Sequence, residues 1–367
     1  MPMKTIVEKI TSPQFSSAPF NQYFKNLRMG VFDIETTGLS PGNSHLILSG
    51  FLIPDREALV LTQYFAESLA DEEEVILATL AVLDSLDVVV TYNGKSFDIP
   101  FVDARAKRIL GSVHHGFSNF NEVGSASSPG RLPCPYNLDL YTVVRKFSPL
   151  RQYLPNLKQK TLEDFLGLWE NRMDEISGAE SASMYMDYLI NPAPETEEKI
   201  LLHNRDDVIQ LHRLMRVLDK TEVHRAMYHL GFPVRTPRHS FLVSEMNFGD
   251  NRLIISGLQR HDPISHTCFD GLLESCGPGG TCSWDFSSSK RAFQMELTPI
   301  MEQHLALIDL RSLGLSEEEF AFTPNCESGY LVLRKDQTIN YAETNLLVAR
   351  LLERITETWI SQSSQEK

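Results

Sequence analysis

The sequence predicts a layered α/β domain followed by a smaller β-rich domain of the α+β type. In the first part, residues 29–34, 45–53 and 58–65 read as short strands. A continuous β-branched run, DVVVT at 87–91, then lies between segments with helical spacing, which is typical of a buried strand covered by helices on both faces. From residue 241 the pattern changes to short strands separated by turns, which indicates a second domain.

The elements of the first domain run from residue 29 to residue 220. Residues 137–140 are predicted to form one more short strand. Apolar residues at helical spacing predict helices over residues 71–85, 97–110, 161–168, 179–190 and 195–218. Residues 1–28 are predicted to be an N-terminal arm. The stretch 111–135 is rich in Gly, Ser, Pro and His, and it is long enough to be a functional or mobile loop that could cover a site.

The second domain is predicted to cover residues 241–367, after a linker at residues 221–240 that includes PVRTPRHS. A final helix is expected from about residue 341 to residue 361. The predicted strands are FLVSEMNF, RLIISGLQR, GTCSWDFS, AFQMELT, HLALIDL and GYLVLRK. A group of histidines and cysteines lacks the close Cys-x₂-Cys spacing of common zinc sites, so buried reduced thiols are favoured over a metal. Its members are His261, His266, Cys268, Cys276 and Cys282.

Composition and charge restrict the class of protein. The 367 residues are 42% hydrophobic and 22% charged, which is ordinary globular material and comfortable for two domains. The chain has no apolar run of roughly 20 residues and no apolar signal region at its start, and five cysteines suit a reducing compartment. These features predict a cytoplasmic protein without membrane contact. The formal net charge of −14 argues against coating nucleic acid by bulk charge, but it allows an enzyme that binds a few phosphates through metal ions.

Charge also bears on the partners of the second domain. Residues 221–367 carry 13 Lys and Arg against 19 Asp and Glu, a balance of −6. This balance disfavours electrostatic binding of nucleic acid there. It favours a domain that binds another protein or dimerises.

The segment VFDIETTGLS at residues 31–40 carries the first candidate metal ligands. Residues i and i+2 of a strand point to the same face, so Asp33 and Glu35 should stand side by side with Ile34 turned into the core. Two carboxylates held so close repel each other unless a cation lies between them. Hard oxygen ligands favour Mg²⁺ or Mn²⁺ over zinc.

Further candidate ligands follow along the chain. Asp98 comes just after the β-branched run and opens a helix, where ligands collect in α/β sheets. His203 and Asp207 are four residues apart in a helical segment, so they share one helix face. Asp206 should point elsewhere, as a solvated neighbour.

Taken in order, these patterns resemble a known set of motifs. D-x-E at a strand end, N-x₄-D and H-x₃-D on a helix are similar to the three motifs of the DEDD superfamily of RNase H-like 3′–5′ exonucleases. The match is closer to its YprB-type branch, and it spans residues 29–218. The segments that carry it are FDIETTGL, QYFAESLADEEEV, TYNGKSFDIPFV, NLDLY, LKQKTLEDFLGL, DEISGAESASMYMDYL and HNRDDVIQL. Residues beyond 220 show no such resemblance.

The resemblance implies an RNase H-like fold with a mixed five-stranded sheet flanked by helices. It also implies a metal-dependent 3′–5′ exonuclease acting on DNA or RNA ends, in which two Mg²⁺ or Mn²⁺ ions stabilise the attacking and the leaving oxygen. The implied metal ligands are Asp33, Glu35, Asp98 and Asp207. His203 would help to deprotonate or orient the attacking water. Its chemistry is that of the histidine branch, whereas its spacing of four residues before Asp207 is that of the tyrosine branch.

The same resemblance suggests substrate-binding residues. The segment that would line the terminal nucleotide consists of Thr36, Thr37, Gly38 and Leu39. Asn93 and Lys95 flank Asp98 and could reach phosphate. The densest basic stretch is either a track for the nucleic-acid backbone or a solvated helix face. It consists of Arg145, Lys146, Arg151, Lys158 and Lys160, with Tyr153 among them as a stacking candidate.

Two other functions are compatible with these motifs. The first is a catalytically silent module that binds nucleic acid or protein on the same fold. The second keeps the metal ions but is a structure-specific endonuclease. Release of mononucleotides with Mg²⁺ or Mn²⁺ would exclude the silent module, and cleavage of circular single strands would reveal an endonuclease.

Overall fold

The computed structural model of the chain describes residues 3–55, 58–111, 135–168, 172–173, 176–249, 251–268 and 281–365, with side chains described to residue 357. The predicted loop at 111–135 lies outside these residues except at its two ends, and so does Cys276. The described residues form two compact units. The first runs to Glu222, apart from Asn21–Asn26, and the second contains Asn21–Asn26 and the chain from Val223 onward.

The first unit contains a mixed sheet of six strands. They are β1 (Lys4–Ile10), β2 (Met29–Thr36), β3 (Leu46–Asp55), β4 (Ala58–Phe65), β5 (Val88–Thr91) and β6 (Tyr136–Asp139). Their order in the sheet is β1-β4-β3-β2-β5-β6. The pairs from β1 to β2 are antiparallel, and β2, β5 and β6 are parallel to one another. The carboxyl ends of β2, β5 and β6 therefore meet at one edge of the sheet.

The predicted sheet of five strands lacks one strand, because β1 lies within residues 1–28, which were predicted to be an N-terminal arm. Residues of β1 pair with β4, from Lys4 opposite Phe65 to Ile10 opposite Leu59. The strand KTIVEKI exposes most of its residues, and the side chain of Val7 remains 64% exposed. Strand β1 is stabilised by backbone hydrogen bonds to β4 and buries little apolar surface. The apolar content of this segment alone therefore did not predict a strand.

A short helix, α1 (Ala18–Phe24), precedes β2. Helices cover both faces of this sheet, as the sequence predicts. They are α2 (Glu72–Ser85), α3 (Asp98–Leu110), α4 (Leu140–Phe147), α5 (Gln159–Phe165), α6 (Gly178–Ile190) and α7 (Pro194–Leu214). One core joins the sheet to α2 and α3 around Phe32, Phe51 and Val75. A second core joins it to α6 and α7 around Phe65 and Tyr185. The first unit is therefore a layered α/β domain.

The second unit is rich in antiparallel strands, as predicted. It contains α8 (Val223–Leu230), β7 (Phe232–Arg235), β8 (Ser240–Phe248), β9 (Leu253–His261), β10 (His266–Cys268), β11 (Thr281–Ser287), β12 (Ala292–Thr298), β13 (Ile300–Glu302), β14 (Leu305–Asp309), β15 (Cys326–Glu327), β16 (Tyr330–Lys335), β17 (Thr338–Ile339) and α9 (Tyr341–Gln365). One sheet has the order β10-β11-β12-β9-β8-β7. The other has the order β13-β14-β16-β15, with β17 also paired to β16.

Residues 221–240, predicted as a linker, contain ordered elements instead. Helix α8 buries Val223, Ala226 and Met227, and β7 pairs with β8. The apolar positions of α8 recur at helical spacing, which gives this short segment a buried face. In the part of the chain that is described, no helix is both long and apolar enough to cross a membrane.

Candidate active site

The candidate site lies where β2 and β5 end. Asp33 and Glu35 are on β2, and Asp33 stands opposite Gly50 of β3. Asp98 is the first residue of α3, and Ile34 of β2 donates its backbone N–H to the Asp98 carboxylate. This hydrogen bond ties the start of α3 to β2. The predicted placement of ligands at the carboxyl end of a buried strand therefore arises from the local strand–turn–helix path.

Helix α7 brings the last two candidate residues to the same place. The Nε2 atom of His203 lies 3.6 Å from Oε1 of Glu35 and 3.6 Å from Oδ2 of Asp207. One ligand atom from each of these three residues lies within 4.8 Å of the others. His203 is only 3% exposed, so its ring faces the cluster rather than solvent. At its spacing of four residues, His203 thus reaches the same cluster as Asp207.

The acidic cluster consists of Asp33, Glu35, Asp98 and Asp207, and the charges of the other three carboxylates act on Asp33. Burial, followed by the charges of Asp207, Asp98 and Glu35, raises the pKa of Asp33 well above its usual range. Burial and the charge of Asp139 raise the pKa of Asp98 to about 7. Carboxylates that raise one another's pKa in this way are stabilised in their charged form by a cation between them. Their hard oxygen atoms fit a divalent cation such as Mg²⁺ or Mn²⁺.

Asn204, which the sequence analysis did not single out, holds one of these carboxylates. Its Nδ2 donates to Oδ2 of Asp33 at 2.9 Å, and its Oδ1 accepts from Nε2 of Gln63 at 2.9 Å. Asn204 is fully buried over Gly50, where an added Cβ would lie 2.1 Å from its Oδ1. Gly50 thus allows the amide to approach β3. A glycine inside a strand often marks such a close approach, and this was the available signal.

We expect Asn204→Ala to weaken both the fold and the site. The substitution leaves Gln63 without its side-chain partner and Asp33 without its donor, which should cost about 1–3 kcal/mol of unfolding free energy. Loss of the donor that orients Asp33 should also weaken Mn²⁺ binding by about 10-fold or more. Thermal unfolding and calorimetric Mn²⁺ titration measure the two effects. Gln63→Ala is the matched control, because it should lower stability and leave the Asn204–Asp33 contact in place.

Asp206 does not lie where the sequence analysis expected it. It is 2% exposed, and its carboxylate accepts hydrogen bonds from Met173 N and from Arg205. Arg172 and Met173 contact α7 at this place, so Asp206 is covered there. Asp206 is a buried anchor for Met173 rather than a solvated neighbour of Asp207.

The segment after β2 forms a closed loop that presents one apolar side chain. Thr37 N donates to the carbonyl of His45, and Thr36 Oγ1 donates to the carbonyl of Gly38 at 2.9 Å. Gly38 lies against Ser44, whose Oγ would be 2.8 Å from an added Cβ. Leu39 is 83% exposed at the tip. Leu39 is therefore not a core residue.

Asn93 and Lys95 lie in the turn between β5 and α3. Asn93 has a left-handed backbone (φ 63°), and its N–H donates to Oδ1 of Asp139 at 2.8 Å. Asp139 also caps α4 through Tyr141 N and Thr142 N. It is thus a strand-end cap that holds the Asn93 turn. Burial and the charge of Lys146 lower the pKa of Lys95, so a member of the predicted basic stretch lies near this turn.

The rest of the basic stretch is largely exposed. The guanidinium of Arg145 lies 5.5 Å from the ring centroid of Tyr141, and Tyr153 is 76% exposed. Lys160 instead donates to the carbonyl of Ile176. The stretch thus combines exposed cations and an exposed ring with one lysine that has a structural contact.

The histidines and cysteines of the second unit show a different chemistry. Trp284 Nε1 donates to Nδ1 of His266 at 2.9 Å, and Cys282 is 1% exposed. Burial raises the pKa of Cys282 to about 12, so its thiol stays protonated. Cys282 is thus a buried thiol, whereas Cys268 is half-buried. Among the residues that the structure describes, Glu35, His203 and Asp207 form the one group of three or more His, Cys, Asp or Glu side chains whose ligand atoms lie within 4.8 Å of one another, and none of the histidines or cysteines of the second unit belongs to it.

The fold and the acidic site together define the class of protein. A family model described as the RNase H superfamily matches residues 31–219, more than half of the chain. The chain belongs to the RNase H superfamily. This confirms the resemblance seen in the sequence and the RNase H-like α/β fold, with the sixth strand as an addition to the sheet.

Curated relatives match part of this chain. A DNA polymerase of Methanocaldococcus jannaschii is 26% identical over 157 residues, which cover 40% of this chain and 9% of the polymerase. A DNA polymerase of Archaeoglobus fulgidus is 26% identical over 204 residues, covering 53% of this chain and 23% of the polymerase. The chain therefore spans less than a quarter of the length of either polymerase.

Solved structures show weaker, partial likeness. The family B DNA polymerase of the archaeon Pyrobaculum calidifontis has a TM-score of 0.39 and 22% identity, covering 52% of this chain and 24% of the polymerase. NrnC of Brucella melitensis has a TM-score of 0.32 and 17% identity, covering 56% of this chain and 78% of NrnC.

Proposed function

We propose that the protein is a metal-dependent nuclease that removes nucleotides from the 3′ end of DNA or RNA. The observation that carries the proposal is the convergence of Glu35 from β2 and Asp207 from α7 on His203, together with the charges of Asp98, Glu35 and Asp207 that act on Asp33. We assign Asp33, Glu35, Asp98 and Asp207 as ligands of two Mg²⁺ or Mn²⁺ ions. Such ions lower the pKa of water and neutralise charge on the attacking and leaving oxygens of a phosphodiester.

We assign to His203 the role of accepting the proton of the attacking water. Its Nε2 faces Glu35 and Asp207, and a neutral imidazole accepts a proton at that atom. The low exposure of His203 keeps the ring in one place. Its position within 3.6 Å of both carboxylates supports a role at the reacting centre, despite its tyrosine-branch spacing.

Substrate contacts are assigned to the loops around the acidic cluster. The loop of Thr36, Thr37, Gly38 and Leu39 would line the terminal nucleotide, with Leu39 against the base. Its closed hydrogen bonding and the 83% exposure of Leu39 support this assignment. Asn93 and Lys95 would contact phosphate, and the exposed ring of Tyr153 would stack on a base further along the strand.

The direct test uses the full chain with end-labelled single- and double-stranded DNA and RNA, in Mg²⁺ or Mn²⁺. We expect shortening of at least one substrate from its 3′ end with release of mononucleotides, and loss of this activity in Asp33→Ala. Equal activity of the variant would show that the site is misplaced or that the activity belongs to a contaminant. Binding of nucleic acid without product would instead support a silent module.

A circular single strand separates exonuclease from endonuclease. An exonuclease needs an end, so we expect the circle to stay intact under conditions in which the linear strand of the same sequence is degraded. Cleavage of the circle would contradict the exonuclease proposal and support a structure-specific endonuclease on the same metal site.

The division of labour within the chain is also a proposal. We assign catalysis to the first unit, in a cytoplasmic protein, and a protein-binding or dimerising role to the second. The charge balance of −6 over residues 221–367 supports this assignment, since it disfavours binding of nucleic acid there. Light scattering of the full chain tests dimerisation, and a monomeric mass at all concentrations would exclude it.

A further inference from the structure

A buried arginine from outside the motifs contacts one of the assigned metal ligands. Arg172 lies between α5 and α6, and its Nη2 donates to Oδ1 of Asp207 on α7. The Arg172 side chain is 1% exposed, whereas the Asp207 carboxylate is 22% exposed. The other oxygen of Asp207, Oδ2, is the one that lies 3.6 Å from His203 Nε2. The two oxygens of Asp207 thus have separate surroundings.

Arg172 also forms an ion pair with Glu163 of α5. Its Nε lies 3.1 Å from Oε2 of Glu163, and its Nη2 lies 3.3 Å from Oε1 of the same fully buried carboxylate on α5. Gln159 completes the frame, since its Nε2 donates to Oε1 of Glu163 at 2.9 Å and to the backbone carbonyl of Asp207 at 3.2 Å. Next in the chain, Met173 N donates to Asp206. Both aspartates of the pair on α7 therefore contact the same short segment.

The ion pairs of Arg172 differ from ordinary surface ion pairs because the Arg172 side chain is buried. Burial lowers the pKa of Arg172. The charge of Asp207 and the hydrogen bonds to Glu163 raise the pKa by a larger amount, so the net pKa is raised. A pair with Glu163 alone would already compensate the buried cation. The additional contact with Asp207 fixes the rotation of that carboxylate, because a planar guanidinium offers its donors in a rigid fork.

We propose that Arg172 is a positioning residue for Asp207, holding Oδ1 so that Oδ2 faces the cluster with His203 and Glu35. The inference rests on the proposed function insofar as Asp207 is taken to be a metal ligand. Outer groups that orient metal ligands typically change metal affinity by about 10- to 100-fold when they are removed. Arg172 therefore sets the affinity of the site for its divalent cation without touching the substrate.

The test measures Mn²⁺ binding to the full-length protein by titration calorimetry, which needs no catalytic activity. Arg172→Lys keeps the charge, but a single ammonium cannot serve both Glu163 and Asp207 as the fork does. We expect about 10- to 100-fold weaker Mn²⁺ binding in this variant. If it cleaves nucleic acid, raising Mn²⁺ should restore much of its kcat. Arg205→Lys is the matched control, because Arg205 lies on the same helix but pairs with Glu8 and Asp206.

Mn²⁺ affinity in two variants decides the inference. Unchanged or tighter Mn²⁺ binding in a folded Arg172→Lys would overturn it, the second because Arg172 would then compete with the ion. If Arg172→Lys fails to fold, Glu163→Gln is the variant that tests the inference. It keeps the shape of the Glu163 side chain and weakens its contacts with Arg172. Unchanged Mn²⁺ affinity in Glu163→Gln would overturn the inference, and a several-fold loss would support it. Failure of the proposed function looks different, namely Mn²⁺ binding that responds to Arg172 in a protein that cleaves no nucleic acid.

Discussion

Asp33→Asn is expected to lower the rate of nucleotide release by at least about 10³-fold, which corresponds to about 4 kcal/mol of transition-state stabilisation. The charges of Asp207, Asp98 and Glu35 all act on Asp33. An amide of the same shape removes the charge that holds a cation, but it preserves the contact with Asn204 through its oxygen. Single-turnover release of labelled mononucleotide at saturating Mn²⁺ measures the loss.

The same substitution should make the metal-free protein more stable at neutral and alkaline pH. The pKa values of Asp33 and Asp98 are raised in the folded state, to about 7 for Asp98, so the folded protein retains protons that the unfolded chain has already lost. The stability linked to these protons is complete below about pH 4 and is lost as pH rises through the folded-state pKa. Thermal unfolding in EDTA should therefore show a smaller loss of Tm between pH 5 and 8 in Asp33→Asn than in the wild type.

The matched control is Asp187→Asn on the exposed side of α6. It removes one negative charge from the chain without touching the cluster, so both activity and the pH dependence of Tm should stay those of the wild type. Added Mn²⁺ should raise the Tm of the wild type and of Asp187→Asn, but much less that of Asp33→Asn. An active Asp33→Asn, or one with the wild-type response to Mn²⁺, would contradict the assignment of Asp33.

The positions of the acidic residues were predictable because short-range spacing determines them. Asp33 and Glu35 follow from strand alternation, and Asp98 follows from a turn after a β-branched run. His203 and Asp207 follow from the helical repeat. In each case the side chain lies where its own strand, turn or helix directs it. The order of these elements in the fold then brings the side chains to one place.

The residues that support the acidic cluster were not predictable, because their contacts join distant parts of the chain. Arg172 meets Asp207 across 35 residues, and it lies in a segment without strand or helix periodicity. Asn204 meets Asp33 across 171 residues and has the same helical spacing as any other buried position of α7. Only Gly50, an unexplained glycine inside an apolar strand, pointed to a close approach at that place.

The missed elements have a related cause. Strand β1 buries little of its surface, so its stability comes from pairing with β4, which local sequence does not encode. Helix α8 occupies only two turns in a segment whose following prolines suggested a linker. Both belong to regions in which partners distant in sequence, rather than the pattern of the segment itself, decide the structure.

Arg105→Met is expected to destabilise the first unit by about 3–5 kcal/mol, because it leaves a buried carboxylate without its cation. Arg105 Nε and Nη2 donate to the two oxygens of Glu72, at 2.7 and 2.6 Å, and both side chains are at most 5% exposed. Burial raises the pKa of Glu72. Hydrogen bonds from Arg105, Leu46 N and His45 lower the pKa by a larger amount, so the net pKa is lowered. The variant should unfold roughly 6–20 °C below the wild type in a thermal scan.

The same arginine also anchors the loop that presents Leu39. Its Nη1 donates to the carbonyl of Pro41 at 3.0 Å, so Arg105→Met should raise KM for a polynucleotide in addition to lowering Tm. Arg108→Met is the control, since exposed Arg108 contacts the neighbouring carbonyl of Gly42 and should cost less than about 1 kcal/mol. Adding Glu72→Gln to Arg105→Met should recover part of the lost stability, because the uncompensated charge is then gone. A double variant as unstable as the sum of its parts would mean that packing, rather than the buried charge, accounts for the loss.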